Sequence, residues 1–253
     1  MDLNILSKIN SEVSGKTPLA ALTAISKNEG VVFSTSFGLE DQVMTHLIFS
    51  NNLPIKIFTL DTGRLFPETY SVWSRTKEMY SKEIHAYSPN ENLIQELISK
   101  KGPNSFYESV ENRLECCHIR KVEPLQRALK GNSIWITGIR KEQSNARGGI
   151  SSLEWDDVNS IVKFHPLFDW SMNEVKKFIS ENNIPYNALH DKGFPSIGCQ
   201  PCTRAVKEGE DARAGRWWWE QNNKKECGLH LSLIHISEPT RLRRISYAVF
   251  CLK

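Results

Sequence analysis

The sequence predicts an α/β protein: a mostly parallel sheet with helices on both faces and a loop-rich C-terminal segment. Three observations predict it. Short β-rich runs alternate with helical patterns as far as about Asn187, and that alternation builds parallel sheets covered on both sides. Polar loops containing Ser, Gly, Asp or Arg follow the runs. Beyond Asn187, Gly, Pro, Cys and Arg become frequent and hydrophobic periodicity fades.

The elements follow in order. Thr17-Pro18 is a helix start, with Thr17 at the N-cap and Pro18 in the first turn; the helix is expected to end near Asn28 to Gly30. Val31 to Phe33 reads as a buried strand, Ser34 to Gly38 as a loop, and Leu39 to Phe49 as a helix. The unit repeats as a strand over Ile55 to Leu60, a loop over Asp61 to Arg64, and a helix from Pro67 to Tyr80. Further strands are expected at Glu83 to Ala86, Ser133 to Thr137 and Ile161 to Phe164. Helices are expected at Glu91 to Lys100, near Cys117 to Leu129, and after the cap Ser171. In such sheets ligands bind beyond the carboxyl ends of the strands, so the loops Ser34–Gly38, Asp61–Arg64 and Gly138–Arg147 should converge on one edge.

Composition excludes several classes. Of 253 residues 40% are hydrophobic and 24% charged, and the net charge is +3, which gives no electrostatic case for nucleic acid. No apolar run approaches the roughly 18–20 residues that span a bilayer. Met1 to Asn10 lacks the pattern of a secretory signal. A cytoplasmic location follows as the expectation, and stable disulfides are not expected there. The six cysteines therefore need another role.

Cys116-Cys117 and the Cys-x-x-Cys of Cys199 and Cys202 supply four thiols. An iron–sulfur cluster, a zinc ion, or a redox pair each accepts such residues. The tandem makes a strained zinc knuckle because neighbouring side chains diverge, whereas a cluster offers separate irons to adjacent cysteines. Hydroxyls and backbone N–H groups of Ser34, Ser36, Phe37 and Gly38 at a helix start can cradle a phosphate, although no Gly-Lys-Ser/Thr is present. Asp61, with Thr62, Gly63 and Arg64, offers a carboxylate to a ribose or base and a guanidinium to phosphate. Gly138, Arg140, Gln143, Ser144 and Arg147 form a third polar loop. Near the C-terminus, Cys227 lies between Lys224, Lys225 and His230, cations that lower a thiol's pKa. Arg213 and Arg216, three apart, would share a face if helical, and could grip an oxyanion. Trp217-Trp218-Trp219 reads as packing or as an aromatic lid.

Together, Ser34 to Asp41, Leu60 to Arg64, Cys116-Cys117-His118-Ile119-Arg120-Lys121, Gly138 to Arg147, Gly198 to Cys202 and Glu226-Cys227-Gly228-Leu229-His230 resemble the thioredoxin-dependent sulfonucleotide reductases, and among them the assimilatory adenylyl-sulfate reductases of bacteria. The resemblance runs from about Gly30 to His230. It implies a modified ATP-pyrophosphatase-like (adenine nucleotide α-hydrolase-like) fold and a [4Fe–4S] cluster on Cys116, Cys117, Cys199 and Cys202 that tunes the site without carrying electrons. It also implies Lys121, Arg213, Arg216 and His230 around a sulfate, and Cys227 as a nucleophile that forms an S-sulfocysteine resolved by thioredoxin or a similar dithiol. Both cysteine pairs favour adenylyl sulfate over the 3′-phosphorylated nucleotide. Rival readings are an ATP pyrophosphatase, whose usual Ser-Gly-Gly start is broken here by Phe37, and a zinc-stabilised binding module. Residues 1–230 are expected to form one domain with a flexible tail at about 220–230, and 231–253 a disordered or artefactual extension. Neither a membrane nor a nucleic-acid partner is expected, and a homo-oligomer is left open.

Overall fold

The computed structural model describes residues 3–143 and 150–220. Five of the predicted runs become strands: β1 (Val31–Thr35), β2 (Lys56–Leu60), β3 (His85–Tyr87), β4 (Ile134–Ile136) and β6 (Ile161–Phe164). The strand β5 (Leu153–Asp156) has no counterpart in the sequence reading. The order across the sheet is β3-β2-β1-β4-β6-β5. All neighbours run parallel except β5, which pairs antiparallel with β6 at one edge.

The apolar run Val31-Val32-Phe33 is continuous because both faces of the sheet are covered. Successive side chains point to opposite faces. Val31 and Phe33 enter a large cluster with Leu22 and Ile25 of α2 (Pro18–Ile25), Val43 and Met44 of α3 (Leu39–Ser50), and Val175 and Ile179 of α8 (Met172–Glu181). Val32, Phe58 and Trp135 turn the other way, onto Leu125, Ala128 and Leu129 of α7 (Glu123–Leu129).

Helix ends follow local chemistry. Thr17 caps α2, accepting from the Ala20 N–H. Pro67 opens α4 (Pro67–Tyr80), and the left-handed Ser81 closes it. Asn90 caps α5 (Glu91–Lys101), and Ser171 and Glu174 form a reciprocal capping box on α8. Two expectations are corrected, and one helix appears that the sequence reading did not expect. An N-terminal helix α1 (Leu3–Val13) precedes α2, and α2 stops at Ile25. The helix expected near Cys117 begins earlier, as α6 (Val110–Cys117) capped by Ser109. A π-helical turn, His118–Val122, then separates it from α7.

Because β2 and β3 lie on one side of β1 and β4 on the other, strand order reverses between β1 and β4. The crevice at such a reversal is where doubly wound sheets take ligands. The described part of the C-terminal segment consists of turns, two 3-10 helices (Ala188–Lys192 and Gln200–Cys202) and a bridge between Thr203 and Arg216. It is fastened to the sheet edge where Gln200 N–H donates to the Arg64 carbonyl at 2.8 Å.

Candidate active site

The loops after β1, β2 and β4 meet at this edge. After β1, Phe37 takes φ +60° while its ring is buried and stacked on Trp73 at 5.4 Å. A buried aromatic residue in the left-handed region marks a conformation that its surroundings impose. Ser36 donates from both N–H (2.6 Å) and Oγ (2.7 Å) to Asp41 Oδ2. Burial lifts the Asp41 carboxyl to about 6, partly opposed by these Ser36 bonds. Ser34 Oγ accepts from Trp135 Nε1 at 2.8 Å. The β4 loop passes so close to α3 that a Cβ on Gly138 would lie 2.5 Å from Asp41 Oδ1. Arg140 is buried, with Nε donating to Glu40 Oε1 at 2.8 Å, Nη1 to the Trp170 carbonyl, and a further pair with Glu142.

The β2 loop touches the cysteines. Thr62 Oγ1 is 3.3 Å from Cys199 Sγ and also accepts from Arg64 N–H. Arg120 Nη1 donates to the Thr62 carbonyl at 2.6 Å. Cys116 and Cys117 end α6, while Cys199 precedes the 3-10 turn and Cys202 closes it. All four line one small cavity with Arg64, Arg113, Arg120 and Lys121, and none of the four is in a disulfide. Burial raises the Cys202 thiol to about 12, helped by Cys199. Cys199 behaves differently: burial disfavours its thiolate, but Lys121, the Thr62 hydroxyl, Arg216 and Arg120 together hold its pKa below the ordinary value. Among the described residues no group of three or more His, Cys, Asp or Glu side chains could hold a single metal ion. The lining of the cavity supplies sulfur donors without carboxylate or imidazole, buried cations around them, and an Arg120 Nε buried without an acceptor. In donor chemistry a sulfur-only lining suits a thiolate-ligated group, a single zinc ion and an iron–sulfur cluster alike.

Residues 30–205 match the phosphoadenosine phosphosulfate reductase domain. The chain belongs to that family. An adenosine 5′-phosphosulfate reductase of Allochromatium vinosum is 51% identical over 202 residues, covering 80% of this chain and 79% of that protein. One from Agrobacterium fabrum is 49% identical, covering 79% and 77%. Among solved structures, the phosphoadenylyl-sulfate reductase of Candida auris in its phosphate complex superposes with a TM-score of 0.68 at 30% identity. That match covers 81% of this chain and 98% of the other.

Within this reductase-family frame the predicted residues divide. Ser34, Ser36, Phe37, Gly38, Asp61, Thr62, Gly63, Gly138 and Arg140 lie at the sheet edge, while Arg64 turns to the cysteine cavity, donating to Asn104 Oδ1 and the Pro103 carbonyl. Lys121 is buried in the π-helical turn. The Arg213–Arg216 segment forms turns instead of a helix. Arg216 is buried against Gly198 and Trp217, while Arg213 is half-buried, its N–H donating to Asp211. The packing reading of the tryptophans holds for Trp217, which is buried with the cysteines, and for Trp219, 4.5 Å from Tyr107. Trp218 is exposed. Ser144, Arg147, Lys224, Lys225, Cys227, His230 and the 231–253 extension lie outside the described residues.

The sequence reading gave no separate role to Asp41, Tyr70, Arg113 or Arg120. Asp41 could have been found, since a carboxylate at the third position of a helix commonly reaches back to the preceding loop. Nothing in sequence signals that Arg113 and Arg120 are buried, because arginines on helices are ordinarily solvated.

Proposed function

We propose that this chain reduces adenylyl sulfate to sulfite and AMP in sulfate assimilation, through an S-sulfocysteine on Cys227. What carries the reading is the group of buried cations, Arg120, Lys121 and Arg216, whose charge favours the Cys199 thiolate, with Arg120 also bonded to the β2 loop at the Thr62 carbonyl. The names of the relatives at 49–51% identity support the same substrate.

Cys116, Cys117, Cys199 and Cys202 would hold a [4Fe–4S] cluster, which when bound supplies a fixed charge distribution that tunes the neighbouring cations. The chain's own groups do the rest. Arg and Lys side chains neutralise the oxyanions, so a thiolate can approach an anionic substrate. The Cys227 thiolate attacks sulfur, the bond from sulfur to the bridging phosphate oxygen breaks, and AMP leaves with that oxygen. One thiolate of a dithiol, thioredoxin in this reading, attacks Cys227 Sγ and expels sulfite. Its second thiol then resolves the mixed disulfide and regenerates Cys227. The dithiol supplies both electrons. The reading takes residues 1–230 as one reductase domain and a reducing cytoplasm as its compartment, where the cysteines outside disulfides stay reduced.

Incubation with adenylyl [35S]sulfate should leave label on Cys227, and Cys227→Ser should abolish both label and sulfite release. Sulfite formation that survives Cys227→Ser overturns the mechanism. The second reading, reduction of the 3′-phosphorylated nucleotide, is favoured by the likeness to the Candida auris enzyme. Turnover of both nucleotides at equal concentration decides between them.

A further inference from the structure

Three rings run beneath the first two strand-end loops. Phe37 of the β1 loop stacks on Trp73 of α4 at 5.4 Å and 26°, and Trp73 stacks on Tyr70, one turn earlier in the helix, at 6.5 Å and 18°. The far end of this stack is polar. Tyr70 OH donates to Asp61 Oδ1 at 2.7 Å, and the Gly63 N–H donates to the same oxygen at 2.9 Å. Burial raises the Tyr70 phenol to about 12, with the Asp61 bond and charge adding to the effect, so the phenol keeps its proton and donates throughout the neutral range.

Asp61 Oδ1 is thus fixed by two donors. Asp61 Oδ2 makes no hydrogen bond or ion pair among the described residues. The Gly63 bond closes an Asx turn, a local device that holds the loop's backbone but leaves the carboxylate plane free to rotate about its donor. The second donor comes from a different element, at an angle set by a ring wedged against Trp73. Two donors on one oxygen set the direction of the other.

We propose that Tyr70 is a positioning residue: it holds Asp61 so that Oδ2 faces the nucleotide and accepts from a ribose hydroxyl or base amine, while the Phe37–Trp73–Tyr70 stack locks the β1 and β2 loops into one register. This rests on the nucleotide reading of the site. Tyr70 touches no substrate atom itself; it acts through Asp61, and an interaction made only through a partner disappears when the partner is disabled.

The test is a double-mutant cycle on AMP binding, measured by titration calorimetry on the full chain with Tyr70→Phe, Asp61→Asn and the pair. Phe keeps the stacked ring and removes only the hydroxyl. Asp61→Asn should weaken AMP about 10-fold and Tyr70→Phe about 5-fold, and the double variant should bind within about 2-fold of Asp61→Asn alone. Melting temperatures of the single variants serve as the fold control. Independent, multiplying losses in the double variant would make Tyr70 a packing residue and overturn the proposal, as would unaltered AMP affinity in Tyr70→Phe. Absence of AMP binding by the unaltered chain would instead remove the nucleotide site itself.

Discussion

Thr62 Oγ1 stands 3.3 Å from Cys199 Sγ and at the same time accepts the Arg64 N–H at 3.2 Å. One hydroxyl therefore ties the β2 loop to the cysteine cavity. Thr62 is buried, so Thr62→Val keeps its shape but leaves Arg64 N–H and Cys199 without their partner. A buried donor left unmade costs about 1–3 kcal/mol. Urea denaturation should show a loss of that size, and sulfite formation should fall about 10-fold. Unchanged turnover would mean that loop and cavity work independently.

Gly198 is held by a neighbour and not by its backbone. A methyl group there would overlap the Arg216 guanidinium, which is packed across it and 4.8 Å from the centre of the Trp217 ring. Gly198→Ala should displace Arg216 and lower turnover at least 10-fold. Adding Arg216→Ala should recover stability relative to Gly198→Ala alone, because the overlap is gone. Turnover and melting temperature both equal to wild type would show that Arg216 moves aside without consequence and would remove its assigned role.

How far the sequence reaches is visible in these residues. The strand–loop–helix rhythm and the Thr17, Pro67 and Ser171 helix starts depend on local chemistry, and each lies where it was expected. α1 escaped because its residues were read only for a secretory signal, and β5 because a four-residue edge strand carries little periodicity. The burial of Lys121 and Arg120 was out of reach for a different reason. The π-helical turn His118–Val122 rotates the chain relative to a continuous α-helix, and nothing in Ile119-Arg120-Lys121 announces an extra residue per turn. For Arg213 and Arg216 the shared face was conditional on a helix, and turns occur there instead, so the three-residue spacing carries no meaning.

Asp41 makes stability depend on pH. Its folded-state pKa, about 6, lies above the ordinary carboxyl value of 3.8 because burial disfavours the charge. An acid whose folded pKa is raised contributes stability that is fully present below about pH 4 and is lost as pH rises through about 6. Asp41 is half-buried, so the effect is of order 1 kcal/mol after allowance for solvent. Asp41→Asn should remove that slope. The stability difference between wild type and variant, measured in urea at pH 4, 5, 6 and 7, should move in the variant's favour as pH rises. A difference that stays flat across the series would contradict the raised pKa.

Arg113 and Glu220 form a two-pronged pair, Nε to Oε1 at 2.7 Å and Nη2 to Oε2 at 3.0 Å, with side chains 2% and 5% exposed. The Arg113 guanidinium also lies 4.8 Å from the Trp217 ring centre, so the pair joins α6 to the segment that leads into Cys227, seven residues beyond Glu220. Removing one member of a buried pair strands the other's charge, at a cost of about 3–5 kcal/mol, whereas replacing both by apolar groups of similar volume is often neutral. Glu220→Leu should therefore destabilise strongly in urea, and Arg113→Met combined with Glu220→Leu should recover most of the loss. Turnover separates two roles that stability alone does not. If the pair only holds the fold, the double variant regains activity together with stability. If it also shapes the site, through Arg113 in the cysteine cavity or by anchoring the segment that leads toward Cys227, the stable double variant remains slow with adenylyl sulfate while binding AMP normally. The second outcome is expected, because two apolar side chains fill the same space without fixing the direction in which the chain leaves Glu220.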